Sequence, residues 1–269
     1  MKNMLSNMKR YLIIYVVGIT LCTLGAPRAY ATTFTDTPVA YTKAMADSAY
    51  AEADYATAIH IYEQLIATHG ESPVIYYNLG GAYYKVDDIA HSILNYERAL
   101  LMDPSNEDVK FNLELARSKA VDKNALVSEL FYMRWYRNFS SMMSADSWSK
   151  VAILCFIIFI SSLALFIFSK KRKTKKIIFT FALLSLLCCI CANVIASGQT
   201  AKLKQRENAI IMEPSVTVRS TPSVNGTELF VLHEGKKVKI KDDSMKAWKE
   251  IEIEDGNIGW LPAESIERI

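Results

Sequence analysis

The chain has 269 residues, 51% of them hydrophobic, and its 31 Lys and Arg against 28 Asp and Glu leave a net charge of +3. Near-balanced charge, with no basic stretch interleaved with aromatics, excludes a polyelectrolyte surface for nucleic acid, and no such partner is expected. All five cysteines (Cys22, Cys155, Cys188, Cys189, Cys191) fall in apolar segments, which leaves the polar regions without a disulfide framework or thiol chemistry.

Lys2, Lys9 and Arg10 precede an apolar run, Tyr11–Leu24, that leads to Ala29-Tyr30-Ala31. That is the layout of a secretory signal peptide, so residues 1–31 are expected to be one, with cleavage after Ala31. An uncleaved transmembrane helix is the alternative. Residues 32–150 then turn acidic, with 16 Asp and Glu against 10 Lys and Arg.

Within that acidic stretch the sequence repeats. Ala58, Ile59 and Tyr62 recur as Ser92, Ile93 and Tyr96, and Asn78-Leu79 recurs as Asn112-Leu113. The offset is 34 residues throughout, the period of a helix–turn–helix unit. Small Ala58 and Ser92 suit the close approach of two antiparallel helices, with Tyr62, Tyr96 and Ala99 filling the seam. Tyr76, Leu79, Gly80 and Tyr83 form the facing stripe at helical spacing. Asp103-Pro104 closes one unit, and Ser105–Glu107 opens the next helix with a capping-type signal.

The block Tyr76-x-x-Leu79-Gly80-x-x-Tyr83, Ser92, Tyr96, Ala99, Pro104 resembles the tetratricopeptide repeat. The preceding unit, Val39–Ser72, carries Met45-Ala46 for Leu-Gly, Leu65 for the late Ala and Gly70 for Pro, and a third unit survives as the helix Asn106–Lys119. The resemblance implies an all-α tetratricopeptide solenoid over residues 38–120. It also implies a concave partner-binding groove lined by Lys43, Asp47 and Tyr50 from the first unit, and by Tyr77, Asn78, Gly81, Tyr84 and Lys85 from the second. Some domains of this family clamp a C-terminal carboxylate with Lys and Asn. Lys43 and Asn78 match that pattern, but Asp47 stands in place of an Asn, so general peptide or protein docking is expected instead.

Residues 121–150 include Leu130-Phe-Tyr-Met-Arg-Trp-Tyr-Arg-Asn-Phe139, five aromatics around Arg134 and Arg137. This interfacial or juxtamembrane segment has two readings: a helix lying on a membrane surface, or a further helix packed on the repeats. Two uncharged apolar segments follow, 151–168 and 177–196, each near the ~20 residues that cross a bilayer as a helix. The eight residues between them, 169–176, carry six Lys or Arg and cannot be buried, so the pair is expected to be a two-helix transmembrane hairpin. Short basic loops stay cytoplasmic. The loop then faces in, and both flanking domains face the periplasm from a bacterial inner membrane. Setting this topology is the expected role of the loop, contact with a cytoplasmic partner the alternative.

After a polar tether, Ser197–Glu207, the period changes to short β-rich runs separated by turns at Ser223-Val-Asn-Gly226, Glu234-Gly235 and Glu254-Asp-Gly-Asn257. Five or six strands in about sixty residues suggest a small closed barrel. Val216-Thr-Val-Arg-Ser-Thr-Pro222, Leu232-His-Glu-Gly235, Trp248 and Gly259-Trp-Leu-Pro262 make residues 207–269 similar to bacterial SH3 domains, which implies an all-β SH3-like barrel. Trp248 and Trp260 are either core staples, the favoured reading, or a ligand surface for a peptide or glycan. Glu264-Ser265 stands where proline-binding relatives carry Asn-Tyr, so a proline-rich ligand is not expected.

The histidines (His60, His69, His91, His233) have neither metal-ligand spacing nor a nucleophile to serve, and no phosphate-cradling glycine loop is present. No enzyme activity, metal or cofactor is expected. The order of parts resembles that of BatE-like proteins of the Bacteroides aerotolerance (Bat) system. That resemblance implies membrane-anchored von Willebrand factor A proteins and other Bat proteins as partners, a MoxR-type ATPase on the cytoplasmic side, and a role in envelope stress or oxygen tolerance. The expected function is a non-enzymatic inner-membrane scaffold. A peptidoglycan-binding anchor acting through the SH3-like domain is the alternative.

Overall fold

The computed structural model describes residues 41–122 and 130–269. The expected signal peptide and the opening of the first repeat lie outside the described residues. Among the described residues, five helices come first: α1 (Lys43–Ala51), α2 (Tyr55–His69), α3 (Pro73–Lys85), α4 (Ile89–Met102) and α5 (Glu107–Lys119). Their starts are set by side chains that accept an otherwise orphaned backbone N–H. Thr42 accepts from Met45, Asp54 from Thr57, Asp88 from His91 and Asn106 from Val109, while Pro73 occupies the first turn of α3, where no N–H is needed.

The 34-residue recurrence reappears in the geometry. The α1–α2 and α3–α4 turns each pass through a left-handed residue, Ala53 (φ 61°) and Asp87 (φ 63°), immediately before the capping Asp. The same offset relates the buried pairs Ala58 and Ser92, Tyr62 and Tyr96, Leu79 and Leu113, and Ala82 and Ala116. Small residues mark the helix crossings. A Cβ on Gly80 would come within 2.9 Å of the Tyr96 ring, and Ser92 Oγ donates to the Gly80 carbonyl at 2.9 Å, so α3 and α4 meet backbone to side chain.

An exposed helix, α6 (Phe131–Ser140), leads into two long apolar helices, α7 (Ala145–Phe168) and α8 (Arg172–Gln205). Both α7 and α8 are long and apolar enough to cross a membrane, and little of either apolar stretch is buried within the chain. They pack on each other through small residues. Ala152, Cys155 and Ser162 on α7 face Ala182, Ser185, Cys189, Ala192 and Ala196 on α8, where the 3–4 spacing keeps one small stripe on the seam. The outward faces carry Ile153, Phe156, Leu165, Phe179, Leu184 and Leu187, a continuous apolar surface larger than water-exposed proteins tolerate.

Two boundaries differ from the sequence reading. The basic loop 169–176 shrinks to a turn, because α8 already starts at Arg172 and takes up the remaining cations. The polar tether 197–207 is helical as far as Gln205, ending where Arg206 turns left-handed (φ 43°). Gln199 holds that extension in place by donating Nε2 to the Ser140 (2.6 Å) and Met143 (3.1 Å) carbonyls. At ~1.5 Å per residue α8 is ~51 Å long, well beyond a ~30 Å hydrocarbon core.

The C-terminal part is a seven-stranded antiparallel sheet: β1 (Asn208–Ile211), β2 (Ser215–Arg219), β3 (Glu228–His233), β4 (Lys237–Asp242), β5 (Trp248–Glu252), β6 (Ile258–Pro262) and β7 (Ile266–Arg268). The strand order β3-β2-β6-β5-β4-β1-β7 leaves β3 and β7 as edges, so the ladder does not close on itself as a barrel would. The sheet still coils around one core, in which Ile211, Val218, Leu232, Val238, Ile251 and Leu261 come from six different strands.

This sheet is not a separate bead on a string. Ile210 and Ile269 are buried in the same cluster as Ile93, Leu94, Val109 and Leu113 of the helices. Around that apolar seam, Arg98 Nη2 donates to Glu267 (2.9 Å) and to the Arg268 carbonyl (2.6 Å), and Lys237 Nζ reaches Glu97 at 2.7 Å. His233 meets Asp122 through its backbone N–H at 2.7 Å and its ring at 3.0 Å.

Candidate functional site: a tyrosine-lined groove and an aromatic sheet face

The odd-numbered helices α1, α3 and α5 share a face. Helical spacing puts Lys43, Asp47 and Tyr50 on one stripe of α1, and Tyr77, Asn78, Gly81, Tyr84 and Lys85 on one stripe of α3. These eight residues line a single cleft of about 510 Å³ with Tyr62, Tyr96, Asn112 and Leu115. The groove residues named from the sequence are therefore brought together.

Four further lining residues complete it. Tyr62 and Tyr96 are core side chains in the repeat pattern, yet each also lines the cleft. Asn112 follows Asn78 by one repeat and donates Nδ2 to the Tyr77 hydroxyl at 3.0 Å, so carrying the period one unit further would have found it. Leu115 had no signal of its own.

Asp47 is the electrostatic centre. Its carboxylate accepts from Lys43 Nζ (2.5 Å), the Tyr62 hydroxyl (2.6 Å) and Asn78 Nδ2 (3.2 Å). Burial alone would raise its pKa, but the hydrogen bonds from Lys43 and Tyr62, the Lys43 charge and the Asn78 amide prevail and hold it below the usual carboxylate range. Burial, followed by the hydrogen bond to Asp47, pushes Tyr62 upward, and burial also raises Tyr50 and Tyr96. Tyr50, Tyr62 and Tyr96 thus stay protonated around one satisfied carboxylate.

The same arrangement bears on the carboxylate-clamp pattern. The two donors that would grip a partner's carboxylate, Lys43 and Asn78, are already engaged by Asp47. At the other end, exposed Lys85 has no anionic partner among the described residues, and Lys119 stacks over the Tyr84 ring at 4.3 Å while pairing with Asp87 at 2.7 Å. The cleft offers aromatic faces, hydroxyl hydrogen bonds and a cationic end, which suit an extended peptide better than an anion.

Trp248 and Trp260 correct the core reading. Buried Ile251 on β5 and Leu261 on β6 define the inner face, and strand alternation puts Trp248 and Trp260 on the opposite one. Both are half-buried, and neither joins the sheet's apolar core. Trp260 is paired across the ladder with Glu250 and with Arg219, whose guanidinium is tied to Gly226 O (2.9 Å) and Glu228 (3.1 Å). The two indoles thus belong to a mixed aromatic and charged outer surface.

No protein-family model matches the chain, and no curated protein matches it.

Proposed function

We propose that the chain is a non-enzymatic, membrane-anchored scaffold in which tetratricopeptide-type repeats hold a partner protein in the groove between Lys43 and Lys85. The carrying observation is that groove: eight residues chosen by repeat position line one cleft, and its chemistry is that of peptide docking. The recurrence of capping Asp, left-handed turn residue and buried pairs at 34 residues supports the repeat family. The coiled antiparallel sheet supports an SH3-like second contact surface.

The apolar α7–α8 pair is the anchor, and the six basic residues in its turn and at the start of α8 orient it with that turn in the cytoplasm and both folded parts in the periplasm. In this reading the protein acts in a BatE-like complex for envelope stress or aerotolerance, with a von Willebrand factor A membrane protein as partner. Crosslinking of the tagged full-length protein in cells, followed by detergent purification and mass spectrometry, tests it. Recovery of such a partner by wild type, lost in the combined Tyr77→Ala, Asn78→Ala, Tyr84→Ala variant, is the expected result. Equal recovery by both proteins would sink the groove reading.

The outward Trp248 and Trp260 favour a second reading, a peptidoglycan anchor. Sedimentation of the detergent-solubilised full chain with purified sacculi, abolished by Trp248→Ala in a variant that keeps its melting temperature, would promote it.

A further inference from the structure

The aromatic helix α6 is the least covered element of the described structure: none of its residues is buried. Successive residues turn by ~100°, so Phe131, Tyr132, Trp135, Tyr136 and Phe139 fall within one face, and Arg134, Arg137 and Asn138 fall on the other. The five aromatics are 83%, 59%, 61%, 45% and 39% exposed, respectively. Such a face does not stay in water.

The position of the helix decides what covers it. Its last residue, Ser140, offers its carbonyl to Trp148 Nε1 of α7 (3.0 Å) and to Gln199 Nε2 of α8 (2.6 Å). Phe139 packs on Trp148 with ring centroids 5.3 Å apart, and Trp135 stacks on Phe139 at 5.6 Å. These contacts fix the aromatic helix at the end of α7 and α8 where their apolar stretch gives way to polar sequence, with Phe139 resting on Trp148, which is itself buried in the α7–α8 seam. Trp and Tyr flanked by Arg are the side chains that a headgroup layer favours.

We propose that α6 lies in the bilayer interface, with its aromatic face among the headgroups and upper acyl chains, and sets how close the repeats and sheet ride to the membrane. This rests on the reading of α7 and α8 as spans. The chemistry sought is a lipid surface. A protein partner on the same face is a competing outcome.

The test is nitroxide scanning of the full chain in phosphatidylethanolamine–phosphatidylglycerol nanodiscs, on a background in which the native cysteines are replaced by Ala. Tyr132→Cys, Trp135→Cys and Phe139→Cys sample the aromatic face, Arg134→Cys and Asn138→Cys the polar face, and Leu184→Cys the middle of α8. Each variant must match the unlabelled protein in melting temperature. The expected result is an oxygen-to-nickel-chelate accessibility ratio several-fold higher at 132, 135 and 139 than at 134 and 138. Low accessibility to both reagents at 132, 135 and 139 means that protein covers the face and overturns the proposal. Preference for the chelate there means water and overturns it equally. The label at 184 keeps the two readings apart: lipid access at 184 with water at 135 defeats the interfacial helix alone, while water at 184 defeats the membrane spans themselves.

Discussion

Glu97 is buried between Arg117 and Lys237, the first on α5 and the second on β4, and so joins two helices and the sheet through one carboxylate. Burial raises its pKa, but the charges of Lys237 and Arg117 and their hydrogen bonds outweigh it and hold the group below the ordinary Glu value of 4.5. A carboxyl depressed by folding stabilises fully above its unfolded pKa, and this contribution is lost as pH falls through the folded value. Thermal melts of the detergent-solubilised chain are therefore expected to drop as pH falls below about 4.5, with a shallower drop in Glu97→Gln. A slope unchanged by that substitution would remove Glu97 from the account. At neutral pH, Glu97→Ala should cost about 2 kcal/mol. It falls short of the ~3–5 kcal/mol of a fully buried broken pair, because Arg117 and Lys237 are partly exposed and can rehydrate. Nothing in the sequence marked Glu97, since its partners lie 20 and 140 residues away.

At the scale of elements, adjacent glycines on α3 make opposite predictions. A methyl group on Gly80 would meet the Tyr96 ring at 2.9 Å and the Ser92 carbonyl at 3.2 Å, whereas one on Gly81 meets nothing closer than 3.6 Å. Gly80→Ala should destabilise by roughly 1–3 kcal/mol through overpacking of α3 on α4. Gly81→Ala should gain up to ~1 kcal/mol from helix propensity. Denaturant melts of the two variants decide it, and equal shifts would mean that the α3–α4 crossing is looser than described. Gly80 was legible in advance because a helix seam written in a fixed period reveals which positions must be small. The groove residues on α1 and α3 were legible for the same reason. The sheet was legible in strand content but less so in facing. Tryptophan suits an apolar core and a mixed outer surface alike, and only the alternation with Ile251 and Leu261 separates the two.

Across the whole molecule, the helices and the sheet share a core. Ile210 and Ile269 are buried against α4 and α5 rather than within the sheet's own cluster. Ile210→Ala should cost about 2–5 kcal/mol and should raise hydrogen exchange in α4 as well as in β1. Faster exchange confined to the strands would show that the two parts unfold independently. The docking was hidden in the sequence because it depends on two distant segments meeting, and because residues 197–207 read as a polar tether until Gln199, near the end of α8, is seen bonded to the α6–α7 turn. Its consequence for function is direct. If the groove and the Trp248–Trp260 face both bind, they do so at a fixed separation, as a preorganised pair rather than as two ligands on a string.

In the proposed scaffold the partner sits in the groove. The most direct measurement is site-specific photo-crosslinking in cells from full-length protein carrying a benzophenone amino acid at Tyr84, at Trp260 or at Glu114, the last as an exposed control on α5. One discrete adduct with a von Willebrand factor A membrane protein is expected from position 84, lost when Tyr77 and Asn78 are both replaced by Ala, and none from position 114. Adducts from position 260 alone, or equal labelling from 84 and 114, would contradict it.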